Sequence, residues 1–308
     1  MCIPLIYYFP RILLHIHHPA HIIEFLYNAS GIASFSLNFL LINLAVFASA
    51  CVIDLLVIGW QQSALRRIVF MKDKSTQGDF WCWILSILNL FDFFTLLFSF
   101  GFFYVLSIVF LKTGGLNLLS YVPAVYLQCL VIFCLGDLKH YLWHRFMHAL
   151  PFWELHKYHH SATEFNLITT SRGHFLERGV LVFFDSLLFS LMGAPLAYFA
   201  IFLWIKEFYN QLLHSNLNWS LGWFGKYIFV SPKAHKLHHS KAPEFYGKNF
   251  GGIFVFWDRL FGTFMSTEKE ITIGLEENPY NAYGFWWDMM EGVKAFGKSS
   301  LLLTKKLF

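Results

Sequence analysis

From residue 34 to residue 59 the chain runs for 26 positions with Asn38, Asn43 and Asp54 as its strongly polar members. About 20 apolar residues in a helix cross the hydrocarbon core of a bilayer, so this run predicts a transmembrane span. Two further runs follow. Residues 81–111, which include Asp92 and Gly101, would be roughly 46 Å long as one helix, more than the ~30 Å core and too short for two crossings. One tilted, protruding helix is expected there. Residues 116–136 form the third run, after Lys112-Thr113-Gly114-Gly115, so spans two and three read as a hairpin. A last run, 179–205, is broken by Gly193-Ala194-Pro195 into halves of about 14 residues, too short to cross singly. It reads as a re-entrant or two-helix hairpin.

The composition agrees, with 56% hydrophobic and only 14% charged residues, the profile of an integral membrane protein. A net charge of +4, scattered along the chain, excludes the footprint of a nucleic-acid binder. The five cysteines form no C-x-x-C pair and read as reduced packing residues. The first thirty residues lack the form of a cleavable signal peptide, so the later spans are expected to target the chain. Arg66, Arg67, Lys72 and Lys74 place residues 61–80 on the cytoplasmic side by the positive-inside bias. The fold class that follows is an all-α integral membrane protein with three transmembrane helices plus the re-entrant or two-helix hairpin. A cytosolic helical cap carries the histidines.

Six of the 21 residues in 140–160, HYLWHRFMHALPFWELHKYHH, are histidine. His140, His144 and His148 are four apart and share a helix face. His156, His159 and His160 stand at i, i+3 and i+4; His235, His238 and His239 repeat that pattern on a helix opened by Ser231-Pro232, a cap residue followed by proline. Neutral imidazole in an apolar setting needs a partner for each ring nitrogen, and a metal is the economical one. His144, His148, His156, His159, His160, His235, His238 and His239 exceed one coordination shell, so two metals are expected close together. The residues alone leave iron, zinc, copper and nickel open. Both groups must lie on one side of the membrane to complete one site, which favours the hairpin for 179–205 over a single kinked crossing. His15, His17, His18 and His21 stand apart and read as interfacial.

The blocks WHRFMH (143–148), LHKYHHS (155–161), TEFNLITTSRGH (163–174), AHKLHHS (234–240) and NFGGIFVFWDRLFGTF (249–264) resemble the fatty acid hydroxylase superfamily, the sterol desaturase-like membrane oxygenases. The EFN-to-SRGH stretch is most similar to the alkylglycerol monooxygenase-like and sterol desaturase-like branches. The resemblance covers roughly residues 130–270 and implies two iron ions, with zinc able to substitute. It also implies O2 and an external electron donor as co-substrates, and a lipid as target (sterol, fatty acyl or ether lipid). By the same resemblance His214 is a further candidate ligand, and His174 either a ligand or an outer hydrogen-bond partner. Asp137 is a candidate outer partner. His140 departs from the family's commoner aromatic and rests on its helical stripe alone.

The resulting layout is an N-terminal interfacial segment (1–33), a transmembrane region (34–136), a hydroxylase-like catalytic domain (137–270) containing the hairpin 179–205, and an amphipathic tail (271–308). The expected function is a membrane-bound lipid hydroxylase or desaturase using a separate electron-donor protein. Endoplasmic reticulum and bacterial inner membrane both fit. Two rivals differ in class. A zinc-dependent hydrolase or isomerase would turn over without O2. A metal transporter would carry ligands inside its spans, and residues 34–59, 81–111 and 116–136 contain no histidine.

Overall fold

The computed structural model describes residues 37–307 apart from 100, 104, 107, 108, 110–114, 194 and 195. His15, His17, His18 and His21, and the turn expected at 112–115 save Gly115, fall outside the described residues. Within them the chain is helical, and two isolated bridges, Phe229 with Phe254 and Ser240 with Ile273, stand in place of a sheet.

The first span is α1 (Leu37–Ile58), whose segment Leu40–Ile58 is long and apolar enough to cross a membrane. After it comes α2 (Ala64–Phe70), capped by the Ser63 side chain, which accepts from the Arg66 amide at 3.2 Å. The single helix expected over 81–111 is replaced by α3 (Lys74–Ile87) and α4 (Leu90–Phe98), bent by 97°. Asn89 sits at the bend with φ 57°, in the left-handed region that asparagine enters more readily than most residues. An apolar run gives no sign of one reversed residue.

The third run also differs from expectation. A 3-10 turn, Leu118–Tyr121, and then Pro123 precede α5 (Val125–Met147). Proline has no amide hydrogen to donate, so the helix starts after it. The 23-residue α5 then runs on through His140 and His144 rather than stopping before the histidines, and it too is long and apolar enough to span a bilayer. Counting the bent pair α3 and α4 as one span, three such elements are found among the described residues.

Next are α6 (Trp153–His160), α7 (Phe175–Met192) and α8 (Leu196–Leu213). The interruption in 179–205 is where the sequence put it, at Gly193 with φ 61°. Each half is 18 residues, longer than expected, because α7 begins at Phe175 and α8 continues beyond residue 205. The remaining helices are α9 (Gly222–Tyr227), α10 (Pro232–His238), α11 (Phe256–Leu260) and α12 (Phe285–Leu307).

The chain forms two compact units. One contains Ile84–Lys139 and Phe175–Ile205 with the described part of Met1–Asn43; the other contains Leu44–Trp83, His140–His174 and Lys206–Phe308. In the first unit the Phe175 ring at the head of α7 packs on Phe91, Phe94 and Phe98 of α4, with centroids 4.8, 5.0 and 5.4 Å away. Lys139 pairs with Asp185 at 2.5 Å, joining α5 to α7, and Arg178 with Asp92 at 3.0 Å, joining α7 to α4. Gly136 allows close approach: a Cβ there would lie 2.5 Å from the Phe202 ring.

The second unit is organised around Arg172, a guanidinium with no exposed side-chain surface. Its Nη1 donates to Asp79 Oδ1 at 2.9 Å and to the Ser75 carbonyl at 3.0 Å; Nε donates to the Tyr158 carbonyl at 2.9 Å and Nη2 to Ser161 Oγ at 2.7 Å. Nη2 also donates to Asn281 Oδ1, and the guanidinium lies 4.2 Å from the centre of the Tyr158 ring. The second oxygen of Asp79 accepts from Asn166 Nδ2 at 2.8 Å and Thr169 Oγ1 at 2.7 Å. One ion pair thus ties α3, the end of α6, the 166–172 turn and the approach to α12. Removing one partner of a buried, hydrogen-bonded pair strands the other charge and costs ~3–5 kcal/mol. Asp79→Ala is therefore expected to lower the thermal unfolding midpoint of the detergent-solubilised protein sharply, and an unchanged midpoint would show that the hub carries no stability.

Candidate metal centre

Three helix ends and one loop-proximal residue deliver the histidines, all within the second unit. Nine of them form two groups. His144, His148, His156, His160 and His238 are one; His159, His214, His235 and His239 are the other. Within each group one ring nitrogen per residue lies within 4.8 Å of all the others. Ligand atoms around a first-row metal at ~2.1 Å are at most about 4.2 Å apart, so only a small contraction separates either group from a coordination shell. The groups adjoin: the His160 and His239 rings stack with centroids 4.2 Å apart, and those of His156 and His159 lie 5.1 Å apart.

Local sequence explains the delivery. On α6 the i, i+4 pair His156 and His160 turns to the five-membered group, while His159 turns to the four-membered group. On α10, Ser231 caps the helix by accepting from the Ala234 amide at 3.1 Å with Pro232 in the first turn. His238 joins the first group; His235 and His239, four apart on one face, join the second. His214 follows directly on α8.

Backbone carbonyls set the tautomers. The Nδ1 of His144 donates to the Phe250 carbonyl at 2.9 Å and that of His238 to the Lys248 carbonyl at 2.7 Å. His159 and His214 donate through Nδ1 to the carbonyls of Arg172 at 2.8 Å and Asn210 at 2.9 Å. A carbonyl only accepts, so each of these rings carries its hydrogen on Nδ1 and, when neutral, presents a bare lone pair at Nε2. The Nε2 atoms of His144, His148, His160 and His238 are buried without a hydrogen-bond partner, each at a cost of about 1–3 kcal/mol. In the other group the Nε2 atoms of His159 and His214 face each other at 3.3 Å, two lone pairs that cannot bond to one another. The Nε2 of His235 is 2.9 Å from that of His214. Converging bare nitrogens of this kind fit a cation, and all-nitrogen donor sets suit iron, zinc, copper or nickel.

Burial, reinforced by neighbouring imidazoles, pushes His148, His160, His214, His235 and His239 well below the usual imidazole range. Burial takes His156 and His238 down to about 3. The rings are accordingly neutral, the form that binds metal. Aromatic side chains surround them, with Phe165 4.9 Å from the His239 ring, Phe250 5.0 Å from His148 and Trp153 5.1 Å from His160.

His144, His148, His156, His159, His160, His235, His238 and His239 thus come together with His214, while three other candidates lie elsewhere. His174 is fully buried and its Nε2 donates to the Met289 carbonyl of α12 at 2.8 Å; it anchors that helix and belongs to neither group. His140 is buried one turn before His144, its ring centroid 5.5 Å away, and is outside both groups. Asp137 is buried on α5, in the first compact unit, and is also outside the groups. Glu154 pairs with Lys157 at 3.0 Å and Glu164 with Arg67 at 3.1 Å. The orienting carbonyls of Lys248, Phe250, Arg172 and Asn210 were not legible, since every residue has a carbonyl.

An α-helical membrane protein with a buried, double histidine cluster is a narrow class. Residues 129–263, which hold all nine clustered histidines, match the family described as fatty acid hydroxylase, and the chain carries a domain of that superfamily. The alkylglycerol monooxygenase of Caenorhabditis elegans is 33% identical over 136 residues, 43% of this chain and 26% of its own length. That of Danio rerio is 32% identical over 151 residues, 49% of this chain and 33% of its own length. The ornithine lipid hydroxylase OlsE of Rhizobium tropici is 30% identical over 169 residues, 54% and 50% of the two chains. The chain therefore spans between about a quarter and a half of the length of these relatives. No solved structure matches it.

The neutral imidazoles give the metal-free protein an acid sensitivity of definite sign. Their folded-state pKa values lie below the unfolded value near 6.5, so below that pH the unfolded chain binds more protons and stability falls with pH. Stability present above about pH 6.5 should be lost progressively as the pH drops toward the value of about 3 held by His156 and His238. Thermal unfolding of chelator-treated protein between pH 7.5 and 5 checks this, and His238→Gln should flatten the slope.

Proposed function

We propose that this protein is a membrane-bound, non-haem di-iron oxygenase that hydroxylates a lipid, with O2 and an external electron donor as co-substrates. The observation that carries the reading is the pair of adjoining histidine groups, five and four residues, inside the segment that matches the fatty acid hydroxylase family. His144, His148, His156, His160 and His238 would hold one iron and His159, His214, His235 and His239 the other. Zinc is able to occupy the same nitrogens. Two irons so held supply reductive activation of O2 for attack on an unactivated C–H bond.

The chain's own residues do the rest. The carbonyls of Lys248, Phe250, Arg172 and Asn210 keep the Nδ1 protons and so leave Nε2 available. Phe165, Phe250, Trp143 and Trp153 wall the rings and exclude bulk water, which protects a strongly oxidising centre from side reactions. The lipid class follows from the relatives, named for alkylglycerol and for ornithine lipid, and from an apolar scaffold through which such a substrate arrives sideways. The active site lies on the cytosolic face of a multi-pass protein in the endoplasmic reticulum or the bacterial inner membrane.

Purified without a polyhistidine tag from iron-supplemented cells, the protein should contain about two irons per chain. It should then consume O2 only with a reductant and a lipid, and give an oxygenated product by mass spectrometry. His238→Ala and His239→Ala, one from each group, should each lose about half the iron and all turnover. Full zinc occupancy that persists after anaerobic iron reconstitution, with O2-independent lipid conversion, would replace the oxygenase with a zinc hydrolase.

A further inference from the structure

The segment Lys248–Asn249–Phe250 belongs to no helix, yet its two flanking carbonyls meet histidines from two different helices. Lys248 accepts from His238 of α10 and Phe250 from His144 of α5. Both histidines are in the five-membered group. Carbonyls two residues apart can serve two rings in this way only if the peptide groups between them are held, and two buried side chains hold them.

Asn249 is 1% exposed and has φ 58°. Its Nδ2 donates to the carbonyls of Ala234 at 3.0 Å and Met265 at 2.8 Å, and its Oδ1 accepts from the Met265 amide at 2.8 Å. Its amide donates to the Thr263 carbonyl at 3.0 Å. Every polar atom of the side chain is spent on fixing the turn, and one of its partners, Ala234, lies on the helix that carries His238. Asp258 is fully buried and holds the other end: Oδ1 accepts from the Phe250 amide at 2.8 Å and Thr263 Oγ1 at 2.7 Å, and Oδ2 from the Gly251 amide at 2.8 Å. A Cβ at Gly251 would sit 2.8 Å from that oxygen, so glycine permits the approach. Thr263 Oγ1 also bonds the Tyr141 hydroxyl at 2.9 Å, one turn before His144 on α5.

We infer that Asn249 and Asp258 are positioning residues for the five-histidine group: by fixing the Lys248 and Phe250 carbonyls they aim the Nε2 atoms of His238 and His144 at one point. The inference rests on the two-metal reading above. It assigns an asymmetric consequence, because the four-histidine group takes its orientation from the carbonyls of Arg172 and Asn210 instead. Outer partners of ligand histidines typically govern metal affinity by about 10–100-fold.

The test is Co(II) titration of the metal-free, full-length protein in detergent, followed by ligand-field absorption, alongside the unfolding midpoint without metal. Asn249→Gly keeps the positive φ and deletes the three side-chain bonds; Asp258→Asn aims an amide donor at a backbone N–H and is the second variant. Tyr209→Phe, which deletes the hydroxyl and its bond to the Val230 carbonyl at 2.6 Å, controls for loss of stability nearby. In Asn249→Gly and Asp258→Asn the five-histidine site, identified as the one His238→Ala abolishes, should weaken by about 10–100-fold while the other stays within about twofold, and Tyr209→Phe should leave both unchanged. Equal weakening of both sites, weakening of the same site by Tyr209→Phe at a matched midpoint, or two wild-type sites in both variants would each overturn the inference. Wild-type protein binding fewer than two Co(II) ions would instead count against the proposed function.

Discussion

Neutral imidazoles cannot be gathered in a water-poor interior unless something accepts their lone pairs. The rest of the second unit is arranged around that constraint. Hydrogen bonds from four Nδ1 atoms to backbone carbonyls commit each of those rings to one tautomer, and the Nε2 atoms of His144 and His238 are left buried without partners. Such a centre is costly by itself, and in the proposed metal-loaded form part of the free energy of the fold would reside in the metal rather than in the packing. Hydrophobic contacts such as that of Leu213, Val230, Ala234 and Val255 hold the elements near one another but have no directional power to orient a ring.

The clustering of the histidines was legible in the sequence because their spacing is a helical property. His156 with His160, and His235 with His239, are four apart, and the structure puts each pair on one face. The sequence disclosed the apolar run of α1 for the same reason, since length and hydropathy are sums over many residues. It failed where one residue decides. The run at 81–111 bends at Asn89, and α5 starts only after Pro123. His174 and His214 are both single histidines beside helix ends, and only their environments separate them: one meets the Met289 carbonyl, the other the His159 and His235 rings. The Asp79–Arg172 pair has no signature in the sequence, because its partners lie 93 positions apart.

Two kinds of support reach the histidines and they differ in physical character. The Lys248–Phe250 turn is held by neutral amide bonds and one carboxylate, all local to 249–265 apart from the link to Ala234. The Arg172 carbonyl, which orients His159, belongs to a residue whose side chain is fixed by a buried ion pair and by contacts from distant parts of the chain. The two supports draw on different parts of the chain, which is the basis for expecting the two halves of the centre to respond differently to mutation although their rings touch.

The parts of the Arg172 hub also come from widely spaced points in the chain: Ser75 and Asp79, then 158–172, then Asn281, whose Nδ2 donates to the Ser161 carbonyl at 2.8 Å. A ribosome delivers these in order, with Asn281 after all the others. Until it emerges, the guanidinium lacks one acceptor and the end of α6 lacks one brace, even though every clustered histidine has already been synthesised. The centre therefore reaches its final form only after residue 281 has emerged. During biogenesis the nascent chain passes through an interval in which it already offers metal-binding nitrogens but has not yet acquired the rigidity that fixes their geometry.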